Sequence, residues 1–315
     1  MIDYSYRNGG KPGIGTLGKV GVLAGLCLCS VCAGCGNDGN VSQAPTQQEQ
    51  QAETPVNESV GGEKDTAVSF VVAKDDFSNL QVNSPGIPVY DKHTLAERRK
   101  LGLPTAMPAI SPYKEGKTAY LTFDDGPDDK NTLEILDILA KNDVKATFYV
   151  LGRNAKLYPQ TVERMFKEGH AIGNHSYDHD YNRLYPSSDN FLAEMEEADE
   201  AIHAIIGMRP LIVRAPGGRI GNFTAAYEHM LEENGYVEHD WNVSSADAAP
   251  NHPVARDFID NIDSQTDDGK ESAIILMHCS EGHEETVAAL PEIIRILKEK
   301  GYQFGVVTPM TPQPW

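Results

Sequence analysis

The stretch TAYLTFDDGP, residues 118–127, carries a run of apolar and β-branched residues into two consecutive carboxylates and a turn. Thr, Tyr, Leu and Phe in succession favour extended backbone, and Gly followed by Pro ends it. Outward from this stretch the event repeats: KATFYV (145–150), HAIGN (170–174), PLIVRA (210–215), SAIILMH (272–278) and QFGVV (303–307) are all apolar runs of strand length. Between them apolar residues recur at helical spacing: Leu133, Leu136 and Ala140, then Leu192, Met195, Ile202 and Ile206 before Gly207, then Leu290, Ile293, Ile294 and Leu297 before Gly301. Strands that alternate with helices are joined by crossovers, which predicts a parallel sheet with helices packed outside it. The fold class is α/β, and the number of strands suits a distorted, incomplete (β/α) barrel. In such folds the carboxyl ends of the strands form the active face.

Residues of chemical type stand at those ends. Asp124 and Asp125 follow the first strand; successive side chains of an extended segment point oppositely, so the two can take different roles, although Asp-Gly-Pro alone is an ordinary turn and helix-cap signal. HSYDH (175–179) spaces two imidazoles at i and i+4, which share a face if the segment is helical or turns like a helix; Ser176 excludes the Glu that a zincin needs. With Asp125, His175 and His179 make a three-ligand open site, against the plainer reading of two surface histidines. RAPGG (214–218) brings a cation to the active face, where Arg214 can fix a carboxylate by a bidentate pair and the glycine turn can offer N–H groups to an oxyanion. DWNVSSAD (240–247) and His278, at the end of a very apolar strand, complete the series.

Together these five motifs, from about Lys114 to Pro309, resemble the polysaccharide deacetylase family, also called the NodB-homology domain or carbohydrate esterase family four. The resemblance implies that Asp124 is the general base, that Asp125, His175 and His179 hold the metal, and that Arg214 holds the base. It further implies that the Gly217 N–H, with Pro216 beside it, lines the oxyanion hole, and that His278 is the general acid oriented by Asp247. The implied cofactor is a divalent metal, best Zn2+, with Co2+, Mn2+ or Ni2+ also suited to Asp-His-His. A bound Zn2+ brings the pKa of its water to about 7, within reach of a carboxylate base. Ser244 and Ala248 depart from the family pattern, which has Asp and Trp there, and this bears on substrate preference. The implied substrate is an N-acetylated polysaccharide, peptidoglycan N-acetylglucosamine before chitooligosaccharide, poly-N-acetylglucosamine or O-acetyl xylan; a catalytically idle glycan-binding lipoprotein is the alternative of a different class.

The remaining candidates receive plain readings. His170, His203, His229, His239, His252 and His283 have no second ligand at suitable spacing, Cys279 is a core thiol, and the acidic run EMEEADE (194–200) is a solvated helix face.

Four of the five cysteines (Cys27, Cys29, Cys32, Cys35) crowd the apolar run VGVLAGLCLCSVCAG (20–34), which follows Arg7, Lys11 and Lys19. That is the layout of a secretory signal peptide, too short for a membrane span. Cys32-Ala33-Gly34-Cys35 resembles a lipobox, with Cys32 where Leu is usual, which implies lipidation of Cys35 and a membrane anchor on the outer face of the cell envelope. Residues 1–35 are thus read as signal, 36–66 as a disordered tether poor in large apolar residues, 67–113 as an arm or small subdomain with a strand-like SFVVA and a helix at 94–101, and 114–315 as the catalytic domain. A net charge of −19 over 315 residues argues against nucleic acid as a partner, and a monomer is expected.

Overall fold

The computed structural model describes residues 69–80, 85–114, 116–267 and 269–314. The signal, lipobox and tether readings, Cys35 included, lie outside these residues. The chain forms β1 (Val71–Ala73), β2 (Val89–Asp91) and α1 (Leu95–Leu101) before the long strand β3 (Thr118–Asp124). Then come α2 (Asn131–Asn142), β4 (Thr147–Val150), α3 (Gly152–Leu157), α4 (Pro159–Lys167), β5 (Ala171–Asn174), α5 (Tyr181–Leu184) and α6 (Ser188–Ile206). The second half comprises β6 (Arg209–Pro210), β7 (Ile212–Val213), α7 (Ala225–Glu233), β8 (Val237–Glu238), β9 (Val243–Ser244), α8 (Ala255–Thr266), β10 (Ser272–His278), α9 (Glu284–Glu299) and β11 (Gln303–Gly305).

The main sheet is parallel, in the order β8-β7-β5-β4-β3-β10-β9. β3 pairs with β11 along its first half (Thr118 to Tyr120) and with β4 along its second (Thr122 to Asp124). The outer strands β8 and β9 are not paired with each other, so the sheet curls into an open half-barrel. The period of two sorts β3 cleanly: Ala119, Leu121 and Phe123 enter the large core with Leu136 and Leu139 of α2 and Leu290 and Ile294 of α9, while Tyr120 joins the opposite cluster with Ile212 and Ile274. Each large apolar side chain so buried contributes about 1.5–3 kcal/mol. Thr122 and Asp124 share the parity of Tyr120, which carries a carboxylate to the inner, carboxyl end of the barrel.

The predicted strand 210–215 divides. Arg209 and Pro210 leave the main sheet to pair antiparallel with β2, in a small sheet ordered β1-β2-β6, and only Ile212 and Val213 stay in the main one. Pro210 has no N–H to give to a central ladder, so an edge pairing suits it. The N-terminal arm is fastened by buried charge: Arg98 lies 3.0 Å (Nη2) from Asp91 Oδ1, and Arg209 Nη2 lies 3.1 Å from Asp91 Oδ2, all three residues at 0% exposure. Breaking such a group costs about 3–5 kcal/mol. The acidic run 194–200 is only partly a solvated face. Glu194 and Asp199 are buried, because α6 packs one side against α3, α4 and α7, where Arg183 meets Glu194 and Tyr236 donates to Asp199 at 2.6 Å. Among the described residues no helix is long and apolar enough to cross a membrane.

Candidate active site

Two left-handed turns and one left-handed aspartate assemble the first cluster. Asp125 has φ 67°, a conformation Asp tolerates better than most residues. This cancels the alternation that would send Asp124 and Asp125 apart, and both carboxylates reach the same imidazole: His175 Nε2 lies 3.7 Å from Asp124 Oδ2 and 3.5 Å from Asp125 Oδ1. HSYDH forms no helix. Ser176 (φ 74°) and His179 (φ 63°) fold the loop after β5, held by Ser176 N donating to Asn174 Oδ1 at 2.8 Å and His179 N donating to Ser176 Oγ at 3.1 Å. The two rings therefore meet through a tight loop, with His179 Nε2 3.7 Å from Asp125 Oδ1.

His175 Nδ1 faces the carbonyl of Arg214 at 2.9 Å, and a carbonyl only accepts, so Nδ1 carries the proton and Nε2 presents its lone pair to the carboxylates. Burial pushes the His175 pKa down to about 3, keeping it neutral. Asp125 Oδ1 is buried without any hydrogen-bond partner. Donors at about 2.1 Å from a tetrahedral ion stand about 3.4 Å apart. The separations of 3.5 and 3.7 Å, the orphaned oxygen and the neutral His175 imidazole all fit a divalent metal at Asp125, His175 and His179.

Arg214 follows β7 and is completely buried. Its contact with Asp124 is monodentate, not the bidentate pair expected: Nη1 donates to Asp124 Oδ1 at 2.8 Å and to Thr122 Oγ1 at 2.7 Å, while Nε and Nη2 serve the carbonyls of His239 and Asp240. The guanidinium is shared among four acceptors because strands on both sides turn polar groups toward it. Burial raises the Asp124 pKa, against the opposing pull of Arg214.

At the far side β10 ends in His278, in register with Asp124. His278 Nδ1 lies 2.8 Å from Asp247 Oδ1, and its backbone N donates to Asp247 Oδ2 at 2.7 Å; Thr286 Oγ1 donates to the same oxygen at 2.8 Å. Burial alone would lower the His278 pKa, but the Asp247 hydrogen bond and charge outweigh it and carry it up to about 9. Cys279 points the other way, buried and free, its Sγ against the Asp124 carbonyl. Beyond β7, Pro216 O accepts from Tyr185 Oη at 2.6 Å, and Gly217 follows with φ 75°.

Several supporting residues escaped the motif reading. Thr122 was legible in principle, two residues before Asp124 on the same strand face; Thr286, Tyr185 and Tyr181 had no local signal. His283, read as plain, stacks on His278 with ring centroids 5.1 Å apart. His170 and His239 are buried and bonded to backbone, at Ala146 N and Thr311 O.

A parallel half-barrel that gathers an open carboxylate-imidazole donor set, an arginine-held carboxylate and a carboxylate-held imidazole on its carboxyl face is the build of a hydrolase. The family model for polysaccharide deacetylase matches residues 112–237. The peptidoglycan-N-acetylglucosamine deacetylase of Bacillus cereus is 37% identical over 213 residues, 66% of this chain and 76% of that one. The chitin deacetylase of Colletotrichum lindemuthianum is 37% identical, covering 64% and 82%. The crystal structure of the polysaccharide deacetylase Bc1974 from Bacillus cereus superposes with a TM-score of 0.56 at 37% identity, over 61% of this chain and 92% of that one. The chain belongs to the polysaccharide deacetylase family and is a deacetylating hydrolase.

Proposed function

We propose that this enzyme removes N-acetyl groups from a cell-wall amino-sugar polymer, peptidoglycan N-acetylglucosamine, with a divalent metal, best Zn2+, held by Asp125, His175 and His179. The observation that carries the proposal is the buried, unpartnered Asp125 Oδ1 facing two imidazole nitrogens, between a held Asp124 and a held His278. The named activity of the Bacillus cereus relative supports the substrate. When bound, the metal supplies Lewis acidity and an acidified water. Asp124, its pKa raised by burial, accepts the proton of the attacking water, and Arg214 keeps its carboxylate turned to the site. The Gly217 N–H faces the charge that develops on the acyl oxygen. His278, cationic below a pKa of about 9, gives its proton to the departing nitrogen, and Asp247 holds the ring and stabilises its charge. Acetate and a free amine result, with no covalent enzyme intermediate.

Acetate release from N-acetylated peptidoglycan by the protein from residue 67 onward, metal-replete or chelated, tests this. Metal-dependent release that disappears in Asp124→Ala and His175→Ala is expected. Release from chitin oligomers or O-acetyl xylan alone would replace the substrate, and glycan binding without release would replace the activity. Lipidation at Cys35, which would hold the enzyme outside the membrane, is the companion proposal; mass spectrometry of the mature N-terminus checks it.

A further inference from the structure

We infer that the Tyr181 hydroxyl is a second donor to the acyl oxygen, acting beside the Gly217 N–H as a side-chain member of the oxyanion hole; the inference rests on the acyl-hydrolysis reading above. Tyr181 begins α5, two residues after His179, and its ring stands edge-on to that imidazole with centroids 5.4 Å apart. It stacks on Tyr185 at 5.5 Å and 26°. The pair of tyrosines thus bridges the proposed metal loop and the RAPGG turn.

Two features of that turn make room for the phenol and aim the backbone. A Cβ at residue 217 would collide with the Tyr181 hydroxyl and lie 3.2 Å from its Cζ, so the phenol occupies the space a side chain would fill. With φ at 75°, glycine is required there twice over, by conformation and by the occupant. Tyr185 Oη donates to Pro216 O, fixing one edge of the Pro216–Gly217 peptide, and in a trans peptide the N–H points opposite to the carbonyl. Among the described residues neither that N–H nor the Tyr181 hydroxyl has a hydrogen-bond partner. Two free donors, one main-chain and one side-chain, therefore sit against each other at the edge of the Asp125, His175 and His179 cluster. A phenol has a reference pKa of about 10 and so keeps its proton at neutral pH. Tyr181 is 48% exposed, so the residue stands at the surface of the site, where a substrate can meet it.

Tyr181→Phe isolates the hydroxyl, and Tyr181→Ala removes the ring as well. In acetate-release kinetics on the metal-loaded enzyme, Tyr181→Phe is expected to lower kcat by about 10²-fold with KM changed by less than about threefold. Metal content stays that of the parent, and binding of the product acetate, measured by titration, weakens. Tyr185→Phe, which frees the peptide without removing a donor, lowers kcat less. A Tyr181→Phe enzyme with the parental kcat overturns the inference; if Tyr181→Ala alone then raises KM, the ring is a sugar platform. Loss of metal from Tyr181→Phe also overturns it, since Tyr181 would then act through His179. If the parent releases acetate from no acetylated glycan, the reaction proposal itself fails, and the acetate titration of parent against Tyr181→Phe still decides whether the two donors hold an acyl oxygen.

Discussion

Two clusters on the carboxyl face of the barrel have the same composition, one carboxylate and two imidazoles within reach of one another: Asp125 with His175 and His179, and Asp247 with His278 and His283. They differ in what the backbone does with the carboxylate. Asp125 Oδ1 receives no hydrogen bond although it is buried. Asp247 receives three, from the ring and the backbone of His278 and from Thr286. In the second cluster His283 turns its Nδ1 to Ser280, 3.2 Å from the carbonyl, rather than to the carboxylate. A carboxylate whose two oxygens already accept three hydrogen bonds is engaged by protein donors, whereas a buried carboxylate oxygen with none lacks a partner that a cation would supply. The difference separates the proposed ligand set from the proposed acid, and composition does not reveal it.

The comparison can be broken most forcefully at His175. Replacing it with Ala removes a proposed ligand, so the affinity for Zn2+ should fall by more than the roughly 100-fold that a merely supporting residue costs, with activity at background. Metal titration and elemental analysis read this directly, and a fully loaded His175→Ala enzyme would place the ion elsewhere. Next in size is Asp247→Asn, which removes the carboxylate charge without changing shape: kcat should drop by about 10²–10⁴-fold. The sign of the pH effect follows from the parent. A general acid works only below its own pKa; Asp247 raises that of His278 to about 9, so its loss returns the pKa toward about 6.5 and the alkaline limb of the rate profile moves to lower pH. An unmoved limb would remove His278 from the acid role. Thr286→Val takes away one of the three donors to Asp247 and should lower kcat by up to about tenfold, with metal content intact. The smallest effect belongs to His283→Ala, for which metal content is unchanged and activity stays within about twofold; loss of a bound ion there would erase the distinction between the clusters.

Legibility followed the range of the interaction. The run 118–123 predicts a strand and forms one to Asp124, and 272–278 matches β10 throughout, since a continuous apolar run of strand length is a local signal. β8 and β9 are only two residues long and gave no run to read, while the split of 210–215 depends on β2, more than a hundred residues earlier. Glu194 and Asp199 depart from the solvated face that an acidic run predicts, because Arg183 and Tyr236 reach them from other elements.

The sequence by itself determined the parallel α/β plan, the active face, and the residue types standing at each strand end, because strand period, helix period and turn chemistry act within a few residues. Tertiary structure decided which of those residues meet and in what state. Arg214 spans ninety residues to reach Asp124, its carbonyl sets the tautomer of His175, and Asp247 holds His278 from thirty-one residues away. Hydrogen-bond saturation and burial are properties of the assembled neighbourhood, and they alone distinguish an open Asp125 from a satisfied Asp247.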